Sequence, residues 1–565
     1  MYYSVSRLVT GTLSWVKRLV GPLCLVAILD FTATADQMTG ELSLTNGDGK
    51  VVAAYEAGDR VFIRLKDSDR NGDGGVLDEV GVLLTSETEN TGTHASAGDV
   101  TAGSDNQGDG VLTVSSTSYD TKTEEWTVTC VNVEGGNPKF DVVGSVSGNQ
   151  TGGVSPTGGI SYTTDGGEVA FRITQGSTGF GILDSFKFST TAGEIKGEQI
   201  TLKETGADTG VFSAEVEMDA SGDAASDAKL QIRSGDYVTV FYDDPKGDFG
   251  EPEQVRAGAL YSQRVLSGAT ISSSVIWTTE ESPYLLTGDV MVNAGATLTI
   301  QKGVEVIFLA YNDDTKGGEL IDDSELLVKG SISVQGTEAE PVTFTTSETA
   351  GRVGQWGGIK LEGTAASGEF KHVVVEYGTY GIYFAGIMER QVRIEESVIR
   401  YNSDYGIRAE KDSNGNNNRR ASIHVINSEI VDNSRHGIYA GWGTREKWEI
   451  TGCNILRNGE YGVYLEMSYH QVIKDNVIKQ NWHGAQMGDI HGYYDIKRII
   501  SGNEIAENKN SGLAVGSFYL TGGVTATGGV TSTGGVTSTG GVTTTGGVTT
   551  TGGVTTTGGV TTTGG

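Results

Sequence analysis

The chain has 565 residues, with 84 glycines against 7 prolines and a formal net charge of −31. This length predicts three or four domains, and the glycine content is typical of turn-rich β structure. The charge argues against DNA, RNA or anionic lipid as partners, and it agrees with divalent cations or with solubility alone.

The first 35 residues have the pattern of an export signal. Arg7, Lys17 and Arg18 precede an apolar run over 19–29, and small residues lead up to Ala35. We therefore expect cleavage near Ala35 and a secreted or cell-surface protein. Because no later stretch reaches about 18 uninterrupted apolar residues, the mature chain is not expected to span a membrane.

Residues 36–265 predict β-sandwich structure. Short alternating runs, such as those at 60–65 and 237–242, are separated by Gly, Asp and Asn turns. The phrase over 202–212 resembles one found in Ig-like modules of large bacterial and archaeal surface proteins. The resemblance implies one or two Ig-like domains, and we expect a loosely packed insertion near 90–165.

An acidic loop in this region has the spacing of a calcium site. Carboxylates and an amide alternate around Gly72, at Asp67, Asp69, Asn71, Asp73 and Asp78. Hard oxygen ligands at this spacing can wrap one Ca²⁺ while the glycine makes the sharp turn. The flanking segments are predicted strands rather than the helices of an EF-hand, so the loop would be a calcium loop of a β-sandwich. The alternative is a solvated acidic turn. A weaker second candidate comprises Asp243, Asp244, Asp248 and Glu251.

Residues 266–520 predict a solenoid of short strands. An aliphatic residue, two variable positions and Asn are followed by a Gly, as in Ile399 to Asn402 to Gly406, and this phrase recurs. The asparagines step by 31, 25, 23 and 27 residues, at Asn402, Asn433, Asn458, Asn481 and Asn508. Gly or Asn interrupts each apolar run before a helix could form, so three strands per coil are favoured.

This repeat resembles the right-handed parallel β-helix of pectin-lyase-like proteins, whose internal asparagines stack in one turn. The resemblance implies that the asparagines are structural and that the fold is all-β. The segment over 290–308 is similar to the first coils of many bacterial β-helix proteins. The resemblance is specific for the fold and says little about function.

The mature chain would keep two cysteines, Cys130 and Cys453. They lie in different predicted domains, which predicts buried thiols rather than a disulfide. Cys453 occupies the place that Ser397 and Ser428 have in the repeat.

Residues 521–565 repeat the hexad Thr-Gly-Gly-Val-Thr-X, and 151–160 carry the same unit. One Val in six residues offers little to bury against the entropy of many glycines, so the repeat predicts a flexible spacer. The alternative is a hexad solenoid that presents Thr-X-Thr rows, as some ice-binding proteins do.

Aromatic and charged residues concentrate in the segments after each repeat Gly. Residues 436–494 hold four of the seven His and three of the seven Trp. Sugar C–H faces stack on aromatic rings while charged groups bind hydroxyls, so this pattern predicts a polysaccharide ligand. The alternative is that the rings shield coil edges. The predicted binding residues are Tyr439, Trp442, Arg445, Tyr464, Tyr469, His470 and Tyr493.

Catalysis is left open. Glu410 and Glu466 share an offset of four residues after the Gly, and two coils would separate them by about 10 Å, slightly wide for an inverting pair. Asp489, His491 and Lys497 lie where the repeat is most disturbed. The paired-Asp phrases of polygalacturonase-like hydrolases and the Asp-Pro-His-Glu phrase of alginate epimerases are missing. A polysaccharide lyase or glycosidase and a structural adhesin or stalk are the alternatives to a glycan-binding monomer.

Overall fold

The structure is a computed structural model. It describes backbone and side chains between residues 39 and 513, apart from the gaps given below, and from there to residue 562 it describes only the backbone of the strands. The predicted signal segment lies outside the described residues. For residues 497–498 and after 513, only the backbone is described. Among the described residues, no helix has the length and apolar character needed to cross a bilayer. Between residues 39 and 513 the gaps are 73–75, 134–137, 151–161, 177, 221–226, 248–250, 348–352, 387, 411–420, 442–446, 467–469 and 488–496, and later in the chain the description leaves out 516–517 and the residues between and after the strands that follow.

Residues 41–262 form two units of mainly antiparallel strands, one inserted into the other. Their strands are β1 (Glu41–Thr45), β2 (Ala54–Glu56), β3 (Arg60–Lys66), β4 (Glu79–Thr85), β5 (Ser96–Ala97), β6 (Thr101–Ala102), β7 (Val111–Thr117), β8 (Glu124–Asn132), β9 (Lys139–Gly144), β10 (Gly148–Asn149), β11 (Tyr162–Thr163), β12 (Val169–Thr174), β13 (Ser185–Thr191), β14 (Glu198–Glu204), β15 (Val211–Asp219), β16 (Lys229–Gln231), β17 (Tyr237–Asp244) and β18 (Glu253–Ser262). A 3₁₀ turn over Ser68–Arg70 follows β3.

The outer unit is a sheet in the order β1-β3-β15-β14-β4-β17-β18-β2, with β16 paired to β15. Its strands alternate buried and exposed residues, as in β3, and the buried face builds one apolar core. The Ig-like interpretation of this unit stays a prediction.

The inserted unit contains β5–β13 and forms two further sheets, β10-β9-β8-β13-β5 and β11-β12-β7. Its own core includes Trp126, Phe140, Phe171 and Phe186. The expected loose insertion near 90–165 therefore differs from the structure, in which 96–191 encloses an aromatic core. The sequence analysis missed this unit because its apolar residues are spread over several short strands.

The inserted unit contacts the second half of the chain through Arg172 in β12. The guanidinium of Arg172 lies 3.8 Å from the ring centroid of Tyr401 and donates a hydrogen bond to the Tyr401 hydroxyl at 2.6 Å. Tyr377 stacks on Tyr401 with a centroid separation of 5.6 Å. This contact ties the inserted unit to the side of the solenoid.

From residue 264 onward the chain winds into coils of three short strands. The first coils contain β19 (Arg264–Leu266), β20 (Thr270–Ile271), β21 (Val275–Trp277), β22 (Tyr284–Leu286), β23 (Val290–Val292), β24 (Thr297–Gln301), β25 (Glu305–Phe308), β26 (Glu325–Val328), β27 (Ser331–Gln335) and β28 (Val342–Thr346). A 3₁₀ turn over Thr279–Glu281 lies between β21 and β22.

The repeat region follows with β29 (Gly358–Glu362), β30 (Ser367–Lys371), β31 (Val373–Glu376), β32 (Tyr380–Ala385), β33 (Gln391–Glu395), β34 (Val398–Arg400), β35 (Tyr405–Glu410), β36 (Ser422–Ile426), β37 (Glu429–Val431), β38 (His436–Ala440), β39 (Lys447–Thr451), β40 (Asn454–Leu456), β41 (Tyr461–Leu465), β42 (His470–Lys474), β43 (Val477–Lys479), β44 (His483–Met487), β45 (Lys497–Ser501), β46 (Glu504–Ala506) and β47 (Ser511–Val515).

These strands stack into three parallel sheets, which confirms the predicted parallel β-helix. Sheet I begins β19-β22-β25, sheet II begins β20-β23-β26 and sheet III begins β21-β24-β27. Equivalent residues pair in register, so Ile399 lies beside Ile430 and Ile430 beside Ile455. Inward-pointing Val, Ile and Leu from all three sheets fill one continuous core.

The predicted asparagine ladder is confirmed at the turn between sheets I and II. The side chain of Asn402 donates to Asn433 Oδ1 at 2.8 Å, that of Asn433 to Asn458 Oδ1 at 2.9 Å, and that of Asn458 to Asn481 Oδ1 at 3.0 Å. The residue before each ladder Asn has a positive φ, from Tyr401 at 56° onward. Each amide therefore satisfies buried backbone groups of a sharp turn.

A second ladder, which the sequence analysis missed, lies at the turn between sheets III and I. Ser428 Oγ accepts from Ser397 N, and Asn476 Oδ1 accepts from Cys453 N at 2.8 Å. The side chain of Asn476 in turn donates to Asn503 Oδ1 at 2.9 Å. Both Cys130 and Cys453 are buried free thiols, as predicted.

The C-terminal hexads differ from the expected flexible spacer. They contribute β48 (Phe518–Leu520), β49 (Val524–Ala526), β50 (Val530–Ser532), β51 (Val536–Ser538), β52 (Val542–Thr544), β53 (Val548–Thr550), β54 (Val554–Thr556) and β55 (Val560–Thr562). Val524 pairs with Val542, so three hexads make one 18-residue coil. Backbone pairing with the coil before and after supplies the hydrogen bonds that one hexad alone lacks.

Candidate functional site

The outer face of sheet II carries two columns of side chains. Ile407 and Ala409 of β35 point into the core, so Arg408 between them points outward. Pairing in register then stacks equivalent residues of successive coils. The ring column consists of Tyr380, Tyr405, His436, Tyr461 and His483. The mixed column consists of Lys360, Tyr383, Arg408, Tyr439, Tyr464 and Gln486.

The rings stack on each other along the axis of the β-helix. In the ring column, Tyr405 and His436 have centroids 5.2 Å apart and planes 13° apart, and Tyr461 and His483 lie 4.3 Å apart at 12°. In the mixed column, Tyr439 and Tyr464 are 5.3 Å apart at 15°. Ring faces therefore cover one another, which leaves ring edges for a ligand. The stacking of sugar faces on these rings stays a prediction.

The polar edge of the ring column is uncharged at His436. The backbone N–H of Tyr461 donates to His436 Nδ1 at 3.3 Å, so Nε2 carries the proton that faces Glu460 Oε2 at 3.0 Å. Burial lowers the pKa of His436 to about 4, and burial also lowers the pKa of His483. Both imidazoles are thus neutral hydrogen-bonding groups at pH 7.

The two columns differ in exposure along their length. At the N-terminal end, Tyr380, Tyr383 and Tyr405 are only 5%, 4% and 7% exposed, and Leu320 packs against their cluster. Farther along, Tyr439, Tyr461 and Tyr464 are half-buried. We call the N-terminal part the covered half and the part from Tyr439 and Tyr461 to His483 the open half.

Cations of the mixed column are already paired. The guanidinium of Arg408 lies 4.6 Å from the Tyr383 ring centroid and 4.7 Å from that of Tyr380, and it donates to Glu410 at 2.5 Å. Lys360 Nζ lies 3.1 Å from Glu319. These contacts leave the columns without an excess of positive charge.

The structure separates the predicted binding residues. Tyr439 and Tyr464 lie side by side on sheet II, but His470 begins β42 on sheet III, opposite Lys447. Trp448, which shares the aromatic-rich segment, points into the core and contacts Phe384. Trp442, Arg445, Tyr469 and Tyr493 lie outside the described residues.

The predicted catalytic residues do not form one described cluster. Glu410 ends β35 and Glu466 follows β41, with β38 between these strands, as the two-coil spacing predicted. The Glu410 carboxylate is engaged by Arg408. Asp489 and His491 lie outside the described residues, and for Lys497 only the backbone of β45 is described. Their catalytic roles stay predictions.

A groove on sheet III was missed by the sequence analysis. It has a volume of about 440 Å³ and is lined by Ser331, Ser333, Ser367, Glu369, Arg390 and Gln391. The hydroxyls of Ser331 and Ser367 lie 2.8 Å apart. Serines recurring one coil apart were the available signal, but Ser is equally common in turns.

The acidic loop of the outer unit brings together a different set from the predicted one. Carboxylate oxygens of Asp67, Asp69 and Asp244 all lie within 4.8 Å of one another. Burial and the neighbouring Asp69 raise the pKa of Asp67 to about 6.

The other predicted ligands of that loop make contacts outside this cluster. Asn71 donates to Asp208 at 2.7 Å, and Asp78 accepts from Gly72 N at 2.6 Å. Asp73 lies outside the described residues. Only Asp67 and Asp69 of the predicted set therefore share a described site, and Asp244 comes from the second, weaker candidate.

Comparison with known proteins supports the fold. A model of the pectate-lyase-like β-helix domain matches residues 269–386, and a model of the right-handed β-helix region matches residues 415–521. Together with the parallel pairing of the strands, they establish a right-handed, pectate-lyase-like parallel β-helix. No curated protein matches the sequence.

Solved structures of two polysaccharide-degrading enzymes are similar to the chain. Endopolygalacturonase I from Stereum purpureum is 15% identical, with 53% of this chain and 99% of that chain covered and a TM-score of 0.26. The catalytic unit of a GH87 α-1,3-glucanase from Streptomyces thermodiastaticus is 12% identical, with 85% and 96% covered and a TM-score of 0.31. Because both TM-scores are low, the fold assignment rests on the strand pairing and the family models and not on these two structures.

Proposed function

We propose that this protein is an exported polysaccharide-binding protein that holds a neutral glycan along the open half of the ring and mixed columns. The observation that carries the proposal is the column geometry. Successive coils repeat Tyr and His edges at the strand spacing of about 4.8 Å, which forms a linear surface. A linear polymer is the ligand that such a surface fits.

The chemistry of the open half suits hydroxyl groups. Tyr439, Tyr461 and Tyr464 supply hydroxyls that both donate and accept, and neutral His483 adds a ring nitrogen. Burial raises the pKa values of these tyrosines, so their hydroxyls keep their protons at pH 7. The match to a pectate-lyase-like family model agrees with a carbohydrate ligand.

The charge around the open half favours a neutral polymer over a polyuronate. Glu410, Glu460 and Glu466 border it, while Arg408 and Arg435 are held in ion pairs with Glu410 and Glu460. The whole chain carries a formal charge of −31. An acidic polysaccharide would meet this carboxylate border, and the two neighbouring arginines are already paired with it.

A titration series tests the proposal. Soluble neutral glucans, mannans and galactans are titrated into the protein by calorimetry at 20 and 200 mM salt, and polygalacturonate is titrated for comparison. Each mixture is then analysed for cleavage products. We expect a neutral polymer to bind and Tyr464→Ala to weaken that binding about tenfold, which corresponds to about 1.4 kcal/mol. Tyr237→Ala in the outer unit is the matched control and should bind as the wild type does.

Three results would contradict the proposal. Binding of polygalacturonate in preference to every neutral polymer would refute the ligand class. Failure of all glycans to bind would favour the structural stalk. Shortened or unsaturated products would show the lyase or glycosidase that stands as the alternative.

We further propose that Asp67, Asp69 and Asp244 hold Ca²⁺ in the outer unit. Two of these carboxylates are almost fully buried, and hard oxygen donors are what Ca²⁺ prefers. If calcium is present at a hundredfold excess over Kd, it should stabilise the fold by about 2.7 kcal/mol, seen as a rise in Tm. Asp244→Asn should abolish the rise and the exposed Asp243→Asn should keep it; an unchanged Tm in chelator would remove the proposal.

A further inference from the structure

Residues 311–324, which we call the cover, belong to the connection between β25 and β26, and Glu319 and Leu320 of this segment contact the covered half of the columns. Leu320 packs against Tyr380, Tyr383 and Tyr405. Glu319 reaches Lys360 at 3.1 Å and Arg408 at 3.9 Å. The cover thus occupies the continuation of the surface that the open half presents.

Two backbone N–H groups of the cover are hydrogen-bonded to one buried carboxyl group, that of Glu325. Its Oε2 accepts from the backbone N–H of Glu319 at 2.6 Å and more weakly from Leu320 at 3.5 Å. Glu325 is fully buried, and its Oε1 has no hydrogen-bond partner. An ionised carboxylate with one unsatisfied oxygen is costly in such a place, whereas a neutral carboxyl group is tolerated.

The groups that face Glu325 carry charges of both signs. Asp289, before β23, accepts from Glu325 N at 2.8 Å and approaches the same glycine, Gly318, as the Glu325 carboxyl group does. Asp313 adds negative charge beside Asp289, and Lys360 is the facing cation. Lys360 also pairs with Glu319 and Glu362, yet its attraction for an ionised Glu325 exceeds the repulsion from Asp289, so burial is what chiefly opposes ionisation. Burial, with a smaller contribution from Asp289, raises the pKa of Glu325 to about 7, although the hydrogen bonds from Glu319 and Leu320 and the charge of Lys360 favour the ionised form.

We propose that the cover is a proton-controlled lid: it stays closed over the covered half while Glu325 is protonated, and it is released when Glu325 ionises against Asp289. Release would expose Tyr380, Tyr383, Tyr405 and Arg408 and so lengthen the glycan surface. This role rests on the proposed function, but the lid itself does not.

The sign and size of the effect follow from linkage. The carboxyl group holds its proton more tightly when the cover is closed than when it is open, where an ordinary pKa near 4.5 applies. Closure is therefore most stable below about pH 4.5, and that stability is lost as the pH rises to about 7. Over this window the opening equilibrium should increase about a hundredfold, since each unit of difference in pKa gives a factor of ten.

Hydrogen–deuterium exchange of the full chain, read at peptides over 311–324 and corrected for intrinsic rates, measures the opening. We expect the exchange rate there to rise about a hundredfold from pH 4.5 to 7, while peptides over β24 stay constant. Glu325→Gln cannot ionise and should remove the rise. Asp289→Asn should make it smaller, because the repulsive charge is gone. Glu340→Gln, at an exposed ion pair with Lys302, is the control and should behave as the wild type does.

A rise that persists in Glu325→Gln, or exchange in the cover that does not depend on pH in the wild type, would overturn the lid. If Glu325→Gln fails to fold, Asp289→Asn decides, since an undiminished rise in that variant contradicts the proposed repulsion. These results are independent of ligand binding. A working lid without any glycan binding would refute the proposed function alone, and glycan binding with a static cover would refute the lid alone.

Discussion

Replacement of Asn458 by Ala tests how much one rung of the asparagine ladder contributes. Asn458 Oδ1 accepts from Asn433 N at 3.1 Å and from Asn433 Nδ2 at 2.9 Å. Its Nδ2 donates to Ile430 O and to Asn481 Oδ1, both at 3.0 Å. Truncation leaves the Asn433 N–H and the Ile430 carbonyl without these partners in a dry turn. At about 1–3 kcal/mol for each buried unsatisfied group, the expected loss is about 4 kcal/mol.

The matched control is Asn454→Ala, an exposed asparagine of β40 in the same coil, which should change stability by less than about 0.5 kcal/mol. The assay is guanidinium unfolding of both variants beside the wild type. Stacked coils need not unfold in a single step, so exchange protection of β37 and β40 is measured as well. If Asn458→Ala stays within about 1 kcal/mol of the control, the ladder does not contribute as these hydrogen bonds imply.

Three further predictions concern buried side chains of the β-helix. Trp448→Ala should lower the unfolding free energy by about 3–5 kcal/mol, because its side chain is buried in the core. Trp482→Ala, at a side chain that is 47% exposed, should lower it by less than about 0.5 kcal/mol. Thermal and chemical unfolding measure both variants, and the same loss in the two variants would contradict the burial assignment. The pKa of His436 is lowered by burial to about 4, so stability should be full above about pH 6.5 and fall as the pH drops to 4. His436→Phe should weaken that dependence, with His483 supplying the remainder, and a melting curve series that is unchanged would exclude His436 as an origin. Burial raises the pKa of the Cys453 thiol to about 11, so it should resist a thiol reagent at pH 8 until the protein unfolds, and rapid labelling of the native protein would show the site to be open.

The β-helix was predictable because its repeat constrains residue type at a constant position. The asparagines at Asn402 to Asn508 each satisfy the same backbone groups, so the same residue recurs and the period is visible. The second ladder was not predictable, because Ser397, Cys453 and Asn476 can all occupy its turn. Several residue types satisfy one geometry there, and no single letter repeats.

The candidate site was predictable only in part. Alternation along a strand places Tyr439 and Tyr464 outward, but it does not tell whether ring faces meet a ligand or each other. The cover depends on Leu320 and Glu319 meeting strands of later coils, and such long-range contacts leave no local pattern. The meeting of Asp67 and Asp244, which are 177 residues apart, likewise follows from sheet order rather than from spacing.

A footprint of the bound polymer shows which surface of the β-helix holds the glycan. Hydrogen–deuterium exchange is recorded with and without the neutral glycan that binds most tightly in the titration series. We expect the bound glycan to protect backbone amides of β38, β41 and β44 from exchange, because these strands form the open half of the columns. Protection confined to the sheet III groove at Ser331, Ser367 and Gln391, or to the outer unit, would contradict it.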